Sequence, residues 1–114
     1  MGQEKRQAER VPMLGELQGE IMVFQPMLVR DVSRGGVTVE TRFALQLDSL
    51  HDIRLALTGK SVIVKGRVVH SHISDVDQDI VVYRTGLEFV EPPLAVRAAI
   101  TEFIETVKAH RSGV

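Results

Sequence analysis

Arg6, Arg10, Arg30, Arg34 and Arg42 all fall in the first part of the chain, while Asp75-Val76-Asp77-Gln78-Asp79 forms an acidic run further on. A protein close to neutral overall can therefore carry a local anion site. Arginine suits that work, because its planar guanidinium stays charged and meets two acceptor oxygens with one fork. Two of the arginines frame an RxxxR segment, Arg6-Gln7-Ala8-Glu9-Arg10. A third lies inside a DxSxxG segment, Asp31-Val32-Ser33-Arg34-Gly35-Gly36. Taken singly, each segment also has an ordinary reading: solvated charges on an arm, and a turn capped by Asp and Ser side chains.

Catalytic and metal chemistry find little support. Ser33 has no nearby His to activate it, no nucleophile elbow is present, and Gly35-Gly36 is not part of a phosphate-binding GxxxxGK[ST] loop. His70 and His72 stand at i, i+2 on one strand face, but no third ligand is evident, since Asp75 and Asp77 are read as lying in a loop. The chain has no cysteine, so neither a disulfide framework nor a thiolate site is available. No enzyme activity, metal or resident cofactor is expected.

The elements that must position the two arginine-bearing segments follow from hydrophobic periodicity. Residues 1–12 are polar, charged and without a sustained apolar period, and are read as a flexible arm. Strands are expected over Glu16 to Phe24, Met27 to Val32 and Val37 to Thr41, with a turn at Gln25-Pro26 and a tight connection whose two glycines permit positive φ. Asp52 to Thr58 alternates Ile53, Leu55 and Leu57 against Arg54 and Ala56, and Gly59-Lys60 is a hairpin turn. Ser61 to His72 follows, with Val62, Val64, Gly66, Val68 and His70 on one face and a bend expected at Gly66. The last strand is Ile80 to Val90. After Pro92-Pro93, the spacing of Val96, Ile100, Phe103, Ile104 and Val107 marks one face of a helix ending near Ser112-Gly113. Arg97, Glu102, Glu105 and Lys108 lie off that stripe. About six strands without intervening helices favour an antiparallel barrel or sandwich.

In this order and at this separation, the RxxxR and DxSxxG segments resemble the signature of PilZ domains. Gly86-Leu87-Glu88-Phe89-Val90 on the closing strand and the terminal helix agree, so the resemblance spans essentially the whole chain. It implies a six-stranded antiparallel β-barrel with a flexible N-terminal arm and a C-terminal α-helix. The expected division is one domain over residues 1–114: the arm at 1–12, the barrel at 13–91, the helix at 92–111. It also implies the ligand cyclic di-GMP, with Arg6 and Arg10 clamping guanine and phosphate and Asp31, Ser33 and Gly36 forming the barrel-side surface. Lys5 is a further phosphate contact to consider, and Arg34 a weaker one. The chemistry is consistent: an Arg fork can meet phosphate oxygens or O6 and N7 of guanine, an ionised Asp31 accepts from N1–H and N2–H, and Gly36 leaves room for close approach.

Composition narrows the partners. The chain has 114 residues, 14 basic against 15 acidic, for a net charge of −1, with one Tyr, four Phe and no Trp. A nucleic-acid polymer binder would show a basic excess and more stacking surface. No apolar stretch is long enough to span a bilayer, and the N-terminal residues lack the apolar core of a signal peptide, so the chain is read as cytoplasmic. The functional expectation is a cyclic di-GMP receptor whose arm orders on binding and signals to a downstream protein. The alternative is a protein–protein adaptor that keeps the barrel with weak or no nucleotide binding.

Overall fold

The computed structural model describes residues 9–21 and 25–112. Within them the chain runs β1 (Val11–Ile21), β2 (Gln25–Val32), β3 (Gly36–Thr41), β4 (Leu50–Leu57), β5 (Lys60–Asp77), β6 (Ile80–Phe89) and α1 (Leu94–Ser112). All neighbouring strands are antiparallel, and the order β1-β2-β3-β6-β5-β4 closes on itself through pairing of Gly19, Glu20 and Ile21 with Leu55, Arg54 and Ile53. Closure leaves fewer sheet edges to protect.

Alternation explains the inside of the barrel. On β4, Ile53, Leu55 and Leu57 are buried while Asp52, Arg54 and Ala56 face out. Inward valines of β2 and β3, Val29, Val37 and Val39, complete the layer together with Leu87. Fully burying each such side chain contributes about 1.5–3 kcal/mol. The helix covers what the barrel leaves open. Ile100, Phe103 and Ile104 are buried, Val96 and Val107 half-buried, and α1 packs against β1, β4 and β5. The stripe expected from spacing is thus the core-facing one.

Several local expectations need correction. β1 begins at Val11 rather than Glu16: Val11 pairs with Val32 and Pro12 with Asp31, before the register shifts between Pro12 and Leu17. Val11 is fully buried, which anchors the base of the segment that carries Arg10. Gln25-Pro26 is the start of β2 and not a turn, pairing with Ile21 and Glu20. Gly66 is regularly paired with His51 and Phe89, and the irregularities of β5 fall between Val68 and His70 and between Ile73 and Asp75. Glycine at 66 suits the close packing there, because a Cβ would press on the Ile53 Cδ1 and crowd Leu87. The first irregularity turns His70 outward, away from the face of Val64 and Val68, so His70 is exposed. The acidic run is not a loop either: β5 continues to Asp77, and the connection is Gln78-Asp79, with Gln78 at φ 56°. The Gly59 turn is as expected, with φ 77°.

Candidate ligand site

The DxSxxG segment is the connection between β2 and β3. Ser33 builds it. Its N–H donates to the Gly36 carbonyl at 2.8 Å, and its hydroxyl accepts from the N–H groups of Gly35 (3.2 Å) and Gly36 (3.1 Å). The side chain is buried, so these bonds satisfy a hydroxyl that would otherwise be costly to remove from water. The Phe89 N–H donates to the Gly35 carbonyl at 2.9 Å and ties the turn to β6. Gly36 is required by the same approach: a Cβ there would run into the carbonyl oxygen of Leu87. Among the described residues Gly59 is the glycine with positive φ, so Gly35 and Gly36 do not serve the turn through left-handed backbone. Ser33 and Gly36 hold the turn against β6, while Asp31 and Arg34 carry the charge at its surface.

Arg10 reaches that surface. Its Nη1 donates to Asp31 Oδ1 at 3.1 Å, across 21 positions of sequence. The Pro12–Asp31 pairing of β1 with β2 makes the contact possible, since it sets the base of the segment beside Asp31. Of the candidates, Arg10, Asp31, Ser33, Arg34 and Gly36 are therefore gathered around one turn. Lys5 and Arg6 lie outside the described residues.

A second set of charges, not singled out from the sequence, meets the same region from α1. Arg34 Nη2 is 3.4 Å from Glu105 Oε2. Glu9, the residue before Arg10, places its carboxylate 2.8 Å from Lys108 Nζ and 3.9 Å from Arg111 Nη2. The hydrogen bond from Lys108, and then its charge, holds the Glu9 carboxyl below the usual glutamate range, with Arg111 and Arg34 adding to the effect. In return, Glu9 and then Glu105 push the Lys108 ammonium up. The signal available in the sequence was the spacing of Lys108 and Arg111, three apart on one helical face. What it lacked was any indication that this end of the helix meets the arm.

Other features lie elsewhere. A cavity of about 540 Å³ opens at the far ends of β2 and β3, lined by Met27, Leu28, Arg42, Phe43 and Val82 among others. None of the described motif residues borders it, so the candidate site rests on convergent charge rather than on concavity. His70 and His72 stack with ring centroids 6.3 Å apart. Among the described residues, no group of three His, Cys, Asp or Glu side chains could hold a metal ion. No helix among them is long and apolar enough to cross a membrane.

A closed six-stranded antiparallel barrel with a terminal helix, and Arg10 paired with Asp31 beside the β2–β3 turn, define the architecture and its candidate site. The chain belongs to the PilZ domain family, whose model matches residues 4–106. It is similar in structure to the PilZ domain of YcgR from Escherichia coli with c-di-GMP, at TM-score 0.75 and 15% identity, covering 94% of each chain. It is similar to K. pneumonia MrkH in its c-di-GMP complex, at TM-score 0.74 and 17% identity, covering 94% of this chain and 55% of that one. The inhibitor of motility MotI/DgrA of Bacillus subtilis gives TM-score 0.71 and 17% identity, covering 90% of this chain and 50% of that one. A search of curated proteins finds no match.

Proposed function

We propose that this chain is a non-catalytic cyclic di-GMP receptor. Arg6 and Arg10 clamp the ligand's phosphate and guanine, and Asp31 accepts from the guanine N1–H and N2–H. Ser33 and Gly36 shape the turn on which the base rests, and Lys5 and Arg34 add positive charge beside the phosphates. On binding, the segment bearing Arg6 and Arg10 closes over the ligand, and the new surface is read by a downstream protein. The ligand comes to this reading from family membership and from the c-di-GMP complexes of similar structures. The observation that carries it onto these residues is the 3.1 Å contact between Arg10 and Asp31, which joins the two halves of the motif pair on one surface.

Isothermal titration of cyclic di-GMP into the folded chain tests the reading. Saturable binding is expected, and an absence of heat from folded protein overturns it. The adaptor reading is favoured by one observation, the exposure of Ile73 and Val76, which strand pairing sets on one face of the β5–β6 hairpin, since clustered exposed apolar side chains mark interaction surfaces. Tight partner binding unaffected by nucleotide would support it.

A further inference from the structure

Lys108 and Arg111 stand three residues apart near the end of α1, and both reach one carboxylate that comes from outside the helix. Basic residues in a last helical turn are ordinary complements of the helix dipole. A pair that converges on one acceptor from a different element is more: it is a two-point anion site, here filled by Glu9. The occupant belongs to the segment that would have to move. Glu9 sits between Arg6 and Arg10 in sequence, and Arg10 is already engaged with Asp31 on the turn. Arg34 links the turn to the helix through Glu105, and Glu105 also lies 4.0 Å from Lys108. Glu9 and Arg10, the turn and the helix end thus form one continuous patch. If Glu9 left, the partners of Lys108, Arg111, Arg34 and Arg10 among the described residues would be Asp31 and Glu105, a net positive surface beside the turn.

We propose that Lys108 and Arg111 form a phosphate-binding subsite of the ligand site, occupied in the free protein by the Glu9 carboxylate as an internal competitor. The proposal rests on the cyclic di-GMP reading given above. Ligand phosphate and Glu9 compete for the same two cations. Ligand binding therefore releases Glu9 from Lys108 and Arg111, freeing the helix end as the phosphate takes its place. The helix is in this way informed of occupancy without touching the guanines.

The test is calorimetric titration of cyclic di-GMP into the full chain and its variants at low salt. Glu9→Gln removes the competitor's charge and is expected to tighten binding about two- to five-fold, the scale of one exposed ion pair. The double variant Lys108→Ala/Arg111→Ala is expected to weaken binding about tenfold, the scale of one charge-assisted contact. In that background Glu9→Gln should have no further effect, because there is nothing left to compete for. If the alanine pair lowers the melting temperature, Lys108→Gln/Arg111→Gln, which keeps most of the aliphatic stems over the helix, gives the same readout. Wild-type affinity in both cation pairs overturns the proposal, and so does unchanged or weaker binding in Glu9→Gln. An absence of binding by the wild-type protein instead overturns the receptor reading itself.

Discussion

At the scale of single residues, the candidate site divides into groups that make the turn and groups that can meet a ligand. Arg10 belongs to the second kind. Its pair with Asp31 is partly exposed, and exposed pairs contribute about 0–1 kcal/mol. Arg10→Ala should therefore leave thermal stability almost unchanged while weakening cyclic di-GMP binding about 10- to 100-fold, measured by calorimetry. Asp31→Ala should weaken binding and narrow the preference for guanine over adenine, measured by competition with cyclic di-AMP, since the acceptor for guanine N–H donors is lost. Gly36 belongs to the first kind. Gly36→Ala drives a methyl into the Leu87 carbonyl and should cost about 1–3 kcal/mol of stability in urea denaturation, before any effect on ligand. Glu9 offers a further check. Its carboxyl, held down chiefly by the hydrogen bond from Lys108, keeps its ion pair until the pH falls through that lowered value. In a carboxyl-carbon NMR titration its midpoint should lie lower in the wild type than in Lys108→Ala.

At the scale of elements, the helix is the part whose role was most legible. Five apolar residues at helical spacing named its buried face, and Ile100, Phe103 and Ile104 are buried there. Ile104→Ala should cost about 2–5 kcal/mol by urea denaturation, whereas a change at exposed Glu102 should cost little. The strands of the middle of the chain were equally legible, because β4 alternates without interruption. Where expectation failed, irregularity was the cause. A register shift after Pro12 hides the start of β1, and two more in β5 disguise its continuation through Asp77. A period of two cannot be counted across an inserted residue, so the polar tail of β5 read as a loop. Proline at 26 suggested a turn because it lacks a donor, yet the start of a strand tolerates that loss.

At the scale of the molecule, strand pairing does what neither motif segment could announce by itself. RxxxR and DxSxxG are far apart in sequence, and only the pairing of β1 with β2 sets Arg10 against Asp31. The motif pair was readable because residue types and order survive in a linear string. The Glu9, Lys108 and Arg111 cluster was not, because it depends on how α1 lies across the barrel, and exposed charges carry no period that reveals their partners. Ligand binding at such a site should also stabilise the whole fold. Cyclic di-GMP at about 100 times its Kd corresponds to about 2.7 kcal/mol, a rise in melting temperature that GTP at the same concentration should not reproduce.

On the receptor reading, the segment bearing Arg10 and the β2–β3 turn respond to one ligand together. Amide NMR of the labelled chain, titrated with cyclic di-GMP, reads both at once. Arg10, Asp31, Ser33 and Gly36 should shift with a single shared binding curve. Shifts confined to the turn with Arg10 unmoved, or confined to the cavity beside Met27 and Phe43, would contradict it.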